Sequence, residues 1–547
     1  MLCSVLLFLF SFEIQTLYGK PNFVIIMADD MGWNDVSFHG ANQIPTPNID
    51  ALAYNGIILN RFYTQQACTP SRAALLTGNY PTRTGLGREP ISVGENISLP
   101  INVTTLPQKL KALGYANYLV GKWHLGHHYK SVTPTRRGFD KFFGYWNGYV
   151  SFFDYMTYYT DANINGFDLR DNFRVAREYR GQYATELFTN KAIEFIKGHD
   201  TSVPMFLIVS HLAPHTGPDS KVEVKNLTET NEKFNYIRNQ ERRNYAGATE
   251  ELDKSVGEIL AALAEKSILN DTLILFLSDN GAPTVGQYAN QGSNWPLRGI
   301  KMSYYEGGVR GTAVLWGSQL NKNVINNDLF HISDIMPTFY AAAGGHISDL
   351  GIIDGINQWD MISKNAPGTR TEMLVGINDR TRAAAYIDRK GQYKLFNGTS
   401  NYNSYYGEAG RLEENPEYNI TEIFESKVHQ TLKKVSDAAL DDNMILQTRS
   451  QLDLSRCRID SEKPNINCSS FCLFDLFNDP CEKIDIKDQQ EDLVNEMKLK
   501  IEKYWEQVVP QPAKYIDPRS NPIYFNNTWD TWLNQFCLPN DSNPLCS

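Results

Sequence analysis

The chain has 547 residues, of which 42% are hydrophobic and 21% charged, a composition typical of globular proteins. Its formal net charge is −10 at pH 7 and it contains no basic block, so nucleic acid is not expected as a partner. Because the chain is too long for one ordinary core, we expect one large domain and a smaller one.

Residues 1–19 are predicted to be a signal peptide, because the run from Met1 to Phe12 is apolar and too short to span a bilayer. No second long apolar stretch follows, so we expect no membrane span. Nine Asn-x-Ser/Thr sequons favour glycosylation and a secreted or lysosomal protein. They begin at Asn96, Asn102, Asn226, Asn270, Asn397, Asn419, Asn467, Asn526 and Asn540.

The first predicted strand runs from Asn22 to Ala28 and is typical of a strand buried in a parallel sheet. It ends in Asp29 and Asp30. Ligand sites in open α/β sheets lie beyond the carboxyl ends of strands, and adjacent carboxylates repel one another unless a cation lies between them. The pair is therefore a candidate cation site, with a solvated turn as the alternative.

The segment from Cys68 to Gly78 contains a predicted short helix, with Thr69 as its N-cap, Pro70 as its first residue and Gly78 at its end. Cys68 is then expected just outside the helix N-terminus, where unpaired N–H groups favour negative charge, and Arg72 lies in the first turn. From spacing alone, a buried structural cysteine or half of a disulfide is an equal alternative.

A predicted strand from Tyr115 to Val120 leads into a glycine-bounded segment that contains Lys122 and His124. Side chains two residues apart after a strand can both reach one anion. The alternative is a surface lysine beside a histidine that is satisfied in the core.

Two histidines, His211 and His215, follow the predicted strand Met205–Ser210. Either of them can belong to a ligand site at the carboxyl end of this strand. Further along the chain, Lys301 lies in a glycine-containing loop that can face an anion. The alternative for this loop is a solvated turn.

The run Thr272–Ser278 repeats the pattern of the first strand and follows an amphipathic helix predicted from Ala246 to Lys266. It ends in Asp279 and Asn280. If the two strands are neighbours, four oxygen-bearing side chains converge, which suits Ca²⁺ or Mg²⁺ better than zinc.

Around residue 360 the predicted strands become short, which indicates a smaller domain at 366–547 after a catalytic domain at 20–365. Cys3 leaves with the signal peptide. Six cysteines can form three disulfides of open connectivity and leave Cys68 without an intrachain partner. They are Cys457, Cys468, Cys472, Cys481, Cys537 and Cys546.

The motif Cys-x-Pro-Ser-Arg followed by Leu-Thr-Gly, within Cys68–Gly78, resembles the signature of the type I sulfatase family. The similarity extends from Asn22 to about Pro480 and is strongest to the arylsulfatase B (N-acetylgalactosamine-4-sulfatase) branch. It implies an α/β fold with an alkaline-phosphatase-like large domain, a mixed central sheet, and a smaller C-terminal α+β domain with an antiparallel sheet.

The resemblance also implies that Cys68 is oxidised to formylglycine by the formylglycine-generating enzyme, with Arg72 steadying the product. The departing alcohol would take its proton from His215, although the family often has His-x-Pro where this chain has Pro-His. The residues implied to hold sulfate and move protons are Lys122, His124, His215 and Lys301. The groups implied to hold Ca²⁺ are Asp29, Asp30, Asp279, Asn280 and the modified Cys68.

The function expected from these residues is hydrolysis of sulfate monoesters with release of inorganic sulfate. One alternative is a phosphate or phosphonate ester hydrolase of the same superfamily. Another is a secreted binding protein that has kept the fold and lost activity. The substrate stays open between a sulfated sugar and a sulfated small metabolite such as a glucosinolate.

Overall fold

The structure is a computed structural model that describes residues 19–159, 164–286, 288–398, 402–405, 414–435, 440–454, 457, 468–538 and 543–546. The predicted signal peptide, apart from its last residue, lies outside these ranges, as do Cys3 and the sequon asparagines Asn467 and Asn540. Within the described ranges, no helix combines the length and apolar composition that a membrane crossing requires.

The strands of the described residues are β1 (Asn22–Ala28), β2 (Ile57–Leu59), β3 (Phe62–Tyr63), β4 (Ala116–Lys122), β5 (Lys141–Tyr145), β6 (Met156–Tyr159), β7 (Ile164–Phe167), β8 (Arg170–Asp171), β9 (Arg174–Val175), β10 (Met205–Ser210), β11 (Thr272–Ser278), β12 (Ala313–Trp316), β13 (Val324–Asn326), β14 (Phe330–His331), β15 (Met373–Ile377), β16 (Ala384–Asp388), β17 (Tyr393–Asn397) and β18 (Cys472–Asp475). The helices are α1 (Pro47–Tyr54), α2 (Cys68–Thr77), α3 (Leu106–Ala112), α4 (Ala184–Lys197), α5 (Leu227–Lys233), α6 (Gln240–Glu265), α7 (Glu306–Val309), α8 (Ile335–Ala342), α9 (Trp359–Lys364), α10 (Ile420–Glu425), α11 (Lys427–Val435), α12 (Asp442–Leu452) and α13 (Glu491–Trp505).

A ten-stranded central sheet has the strand order β13-β2-β12-β11-β1-β10-β4-β5-β8-β9. Strand β1 lies near its middle, parallel to β10 and β11, whereas β12 is antiparallel to β11, so the sheet is mixed. Successive residues of β1 point to opposite faces. Val24 and Ile26 pack in the core that holds α4 and α6, and Phe23 and Ile25 pack in the core that holds α2 and α8. Burial on both faces explains why this strand is apolar throughout.

The smaller sheet is antiparallel, in the order β15-β16-β17-β18, and packs with α13. The expected fold class is therefore confirmed. Helices α10, α11 and α12 lie between β17 and β18 in the sequence. They nevertheless pack in the core of the central sheet, through Ile423, Val428 and Ile445. The chain after residue 366 thus contributes to both cores, and the predicted domain boundary stays a prediction.

Helix α2 begins two residues earlier than predicted, because Ala67 is its N-cap and Cys68 its first residue. The prediction of Thr69 as the N-cap is wrong. The Thr69 hydroxyl donates to the carbonyl of His124 and accepts from the N–H of Ile91, both at 3.1 Å, so it joins two loops instead of capping the helix. Cys68 therefore lies within the first turn.

Helix α6 begins at Gln240, ahead of the predicted start at Ala246. The Asn239 side chain accepts hydrogen bonds from the backbone N–H groups of Glu241 and Arg242 and so caps the helix. The first turns are polar, and the apolar periodicity that marks the helix in the sequence starts only after them.

Three disulfides join the cysteines of the C-terminal region, which confirms that these six pair among themselves. The bonds are Cys457–Cys481, Cys468–Cys472 and Cys537–Cys546. Cys68 is buried and is the free thiol among the described cysteines.

Candidate active site

The ends of β1 and β11 bring two pairs of oxygen-bearing side chains together, because Ala28 is in register with Ser278. The backbone N–H of Asp30 donates to Oδ1 of Asp279 at 3.2 Å, and Nδ2 of Asn280 donates to Oδ1 of Asp30 at 2.6 Å. All four side chains that follow these strands, including Asp29, are fully buried. The structure therefore places the predicted oxygen-bearing side chains in one cluster.

Two lysines from different parts of the chain bind these carboxylates. Lys122, at the end of β4, places Nζ 2.6 Å from Oδ2 of Asp29, and Lys301 places Nζ 2.6 and 2.8 Å from the two oxygens of Asp30. Burial disfavours a charged Lys301, but the acidic groups around it, with Asp30 foremost, together outweigh burial and raise the pKa of this lysine. Both lysines thus bring positive charge to the base of the site.

Helix α2 contributes Cys68 and Arg72, which share one face because they are four residues apart. Arg72 donates to Oδ2 of Asp279 at 2.8 Å and to the hydroxyl of Ser210. Burial raises the pKa of the Cys68 thiol, although Lys122 and Lys301 act in the opposite direction. An unmodified Cys68 is therefore a protonated thiol, which is a poor nucleophile.

The hydrogen bonds of two histidines fix which ring nitrogen carries a proton. His124 Nε2 is 2.8 Å from the carbonyl oxygen of Ile91, and His215 Nδ1 is 2.7 Å from the carbonyl oxygen of Thr216. Since a carbonyl only accepts, both of these nitrogens donate. Burial lowers the pKa of both imidazoles, which leaves His124 Nδ1 and His215 Nε2 as the nitrogens available to a ligand.

The arrangement fits a bound cation. Within the described part of the chain, Oδ1 of Asp29 and Oδ1 of Asn280 are buried without a hydrogen-bond donor, which is costly unless another group satisfies them. Ligand atoms of Asp29, Asp30 and His215 lie within 4.8 Å of one another. In addition, His215 Nε2 is 3.3 Å from Oδ2 of Asp30, and two acceptors at this distance need a proton or a cation between them. Oxygen ligands predominate in this set, which suits Ca²⁺ or Mg²⁺.

A cavity of about 390 Å³ opens above these residues, and Cys68, His124, His215 and Lys301 line it. This volume is in the range of small-molecule sites. The structure brings all ten of the predicted site residues to the cavity or to the charged cluster beneath it. The roles assigned to them stay predictions.

The structure separates His215 from its competitor, His211. His211 Nε2 lies 2.9 Å from the hydroxyl of Ser255, on α6, and the ring is buried and does not line the cavity. Burial lowers the pKa of His211 to about 3, so it is a neutral core residue. Between these two histidines, His215 is the one at the site.

Two further residues support the cluster and were missed in the sequence. Ser210 binds Arg72, and Asn290 donates from Nδ2 to the backbone oxygens of Asp30 and Pro214, at 2.8 and 3.2 Å. Ser210 could have been suspected, because it is the last residue of a predicted strand. Asn290 lies in a loop and carries no local signal.

A family model described as Sulfatase matches residues 21–345. The chain belongs to the sulfatase family. This confirms the resemblance seen in the Cys68 motif and identifies the protein as a sulfuric ester hydrolase.

Two curated relatives and one solved structure illustrate the similarity of this sulfatase to known proteins. Mouse arylsulfatase J is 32% identical over 523 residues, which cover 94% of this chain and 81% of the relative. Human N-acetylgalactosamine-6-sulfatase is 31% identical over 351 residues, which cover 62% of this chain and 65% of the relative. The solved structure of Ps i-CgsB in complex with k-i-k-neocarrahexaose is 25% identical, with a TM-score of 0.70, and covers 93% of this chain and 97% of its own.

Proposed function

We propose that this sulfatase hydrolyses sulfate monoesters by means of a formylglycine made from Cys68 together with a calcium ion, and that it releases inorganic sulfate. The observation that carries the proposal is the position of Cys68. Its buried side chain lines the cavity beside Lys301, above a cluster of acidic and amide oxygens. Burial keeps the unmodified thiol protonated and therefore a poor nucleophile. Conversion of the thiol to an aldehyde would give this position a nucleophile.

Formylglycine supplies a hydrated aldehyde whose hydroxyl is nucleophilic, and calcium supplies positive charge for the sulfate oxygens. Arg72 holds the first turn of α2 against β11 through Asp279, and this contact orients residue 68. Asp279 is the proposed acceptor of the proton that this nucleophilic hydroxyl loses.

Lys122 and Lys301 act as the electrostatic clamp for the sulfate group. An ammonium group has three N–H donors, so Lys122 keeps donors for sulfate oxygens after it binds Asp29. Lys301 lines the cavity directly, although Asp30 holds it in place. Preorganised cations of this kind stabilise the charge that develops on the transferred group.

His215 is the proposed acid for the departing alcohol. Its Nδ1 is fixed as a donor to Thr216, so a proton that reaches the substrate comes from Nε2, on the side of Asp30. His124 is held in the corresponding way by Ile91 and keeps Nδ1 available near the sulfate. The two imidazoles therefore present one titratable nitrogen each to the cavity region.

The residues proposed to hold calcium are those whose oxygens converge at the strand ends. Two of their oxygens lack a donor among the described residues, and the carboxylates would supply most of the ligand charge. The proposed ligands are Asp29, Asp30, Asp279 and Asn280, with residue 68 completing the set.

The test combines mass spectrometry with matched assays. Peptide mass spectrometry should show residue 68 with the mass loss that accompanies conversion of a thiol to an aldehyde. The purified protein should hydrolyse p-nitrophenyl sulfate far faster than p-nitrophenyl phosphate. Cys68→Ser should fold but show no turnover, because serine lacks the second hydroxyl of a hydrated aldehyde. An unmodified Cys68 with no activity would support a silent binding protein, and faster phosphate release would support a phosphatase.

Secretory passage and maturation belong to the same proposal. The sequon asparagines Asn96, Asn102, Asn226, Asn270 and Asn526 are exposed, as glycan attachment requires. Conversion of Cys68 needs the formylglycine-generating enzyme as a partner during synthesis. We therefore propose a glycosylated enzyme that is secreted or lysosomal and acts on a sulfated sugar or a sulfated small metabolite.

A further inference from the structure

The mouth of the active-site cavity carries exposed, largely apolar side chains, although its floor is highly charged. Tyr158, Val285 and Met302 all line it, and they are 36%, 39% and 41% exposed. Large apolar side chains that remain exposed around one cavity mark a surface that a ligand covers. The cavity thus presents cations at its base and hydrocarbon at its rim.

One wall of the cavity is aromatic and begins at the proposed acid. The Tyr149 ring stacks on His215, with ring centroids 5.9 Å apart and planes 14° from parallel. The Tyr288 ring follows, 5.3 Å from Tyr149, and their hydroxyls are 3.3 Å apart. A substrate whose leaving oxygen is near His215 would therefore lay its body along aromatic faces, which favour flat or apolar partners.

The charges around the cavity do not suit a polyanion. Among the described lining residues outside the catalytic floor, the charged side chains are Lys514 and Glu89, which have opposite signs. The whole chain carries a net charge of −10, so its long-range field repels polyanions. Additional sulfate or carboxylate groups on a substrate would find no excess of cations on these walls.

We propose that the substrate is a monosulfate ester whose alcohol is an apolar or aromatic body, and not a sugar chain that carries several anions. The inference rests on the proposed sulfatase mechanism and narrows its substrate class. One sulfate occupies the charged floor, while the remainder of the molecule covers the rim of Tyr158, Val285 and Met302 and the wall of Tyr149 and Tyr288.

The test compares esters of primary alcohols, because their leaving groups have similar acidity. The probes are 2-phenylethyl sulfate, glucose 6-sulfate and glucosamine 2-N,6-O-disulfate, with methyl sulfate as a small reference. Burial of a ring the size of phenylalanine corresponds to about tenfold or more in binding. We therefore expect kcat/KM for 2-phenylethyl sulfate to exceed that for glucose 6-sulfate by about tenfold, with the disulfate lower still.

Variants locate the effect at the rim. Val285→Asn should raise KM for 2-phenylethyl sulfate several-fold and leave methyl sulfate unchanged, because methyl sulfate is too small to reach the rim. Val203→Asn is the matched control, since Val203 is 38% exposed in the loop before β10, away from the site. Val203→Asn should leave the KM values for 2-phenylethyl sulfate and for methyl sulfate unchanged.

The outcomes separate the two proposals. If p-nitrophenyl sulfate is hydrolysed but the disulfate or glucose 6-sulfate reacts as well as 2-phenylethyl sulfate, the substrate inference is wrong and the sulfatase mechanism stands. An unchanged KM for 2-phenylethyl sulfate in Val285→Asn would also overturn the inference. If no ester releases sulfate, both proposals fail.

Discussion

Nζ of Lys122 lies 2.6 Å from Oδ2 of Asp29, and both side chains are fully buried. The pair joins the ends of β4 and β1, which are separated in the sheet by β10. A buried ion pair contributes little net stability, but removal of one partner is costly because the other charge stays buried. Because Lys122 both pairs with Asp29 and is proposed to bind sulfate, variants of the two residues can separate its effect on stability from its effect on activity.

Lys122→Met is expected to destabilise the metal-free protein by up to about 3–5 kcal/mol, the usual cost of a buried charge that loses its partner, since among the described residues only Arg72, at 3.9 Å, would still pair with Asp29. Activity should also be lost, because the sulfate clamp loses a cation. The double variant Lys122→Met/Asp29→Asn should recover most of the stability and none of the activity. Urea unfolding after chelation, followed by tryptophan fluorescence, measures the first effect. A single variant as stable as the wild type would contradict the importance of the pair.

Removal of divalent metal is expected to abolish activity and lower the melting temperature. A ligand that binds only the folded state stabilises it, by about 2.7 kcal/mol at a concentration of 100 times its Kd. Calcium should restore both properties after chelation, and zinc should not, because the ligands are mainly oxygens. In Asp279→Asn, calcium should raise the melting temperature by less than it does in the wild type. If chelated enzyme, shown to be metal-free by elemental analysis, keeps full activity, the cation site is not catalytic.

The two histidines after β10 are expected to respond differently to asparagine. His215→Asn should lower kcat by about 10²–10⁴-fold on an alkyl sulfate, the range typical of general acids. The loss should be smaller on p-nitrophenyl sulfate, whose leaving group needs little protonation. His211→Asn should stay within a few-fold of wild-type activity on both esters and be less stable, because the contact to Ser255 is buried. Equal losses on both esters for His215→Asn would indicate a structural role.

The site could be predicted from the sequence where local patterns mark it. Strands β1 and β11 are continuous apolar runs that stop at charged or amide residues, so their bounds and the oxygen-bearing side chains that follow could be read directly. The motif that contains Cys68 identified the family. These features depend on neighbours in the chain, which is why they are visible without a structure.

Other parts of the site depend on tertiary contacts that leave no local trace. The N-cap of α2 was misplaced because the Thr69 hydroxyl binds His124 and Ile91, which are distant in sequence. The choice between His211 and His215 required knowledge of which ring packs against α6. The aromatic wall is formed by Tyr149 and Tyr288, far apart in the chain, and each looks like an ordinary packing residue in the sequence.

Buried histidines should make the folded state sensitive to acid. His127 packs between Trp146 and Trp532, with ring centroids 5.6 and 5.2 Å away. Burial lowers its pKa to about 3, and the charges of His128 and Arg170 add to the effect. The unfolded chain therefore takes up a proton below about pH 6.5 that the folded protein takes up only near pH 3. The stability that the neutral His127 ring contributes is therefore complete above about pH 6.5, and it is lost as the pH falls toward 3.

Replacement of His127 by phenylalanine should remove this dependence and keep an aromatic ring between the tryptophans. One proton fewer taken up on unfolding reduces the slope of unfolding free energy against pH by about 1.4 kcal/mol per pH unit between pH 4 and 6. Buried carboxyls change the slope in the opposite direction; burial raises the pKa of Asp253, for example, to about 7. The quantity to compare is therefore the difference in slope between the variant and the wild type. Urea unfolding at several pH values measures it. An unchanged slope in His127→Phe would mean that His127 is protonated in the folded state.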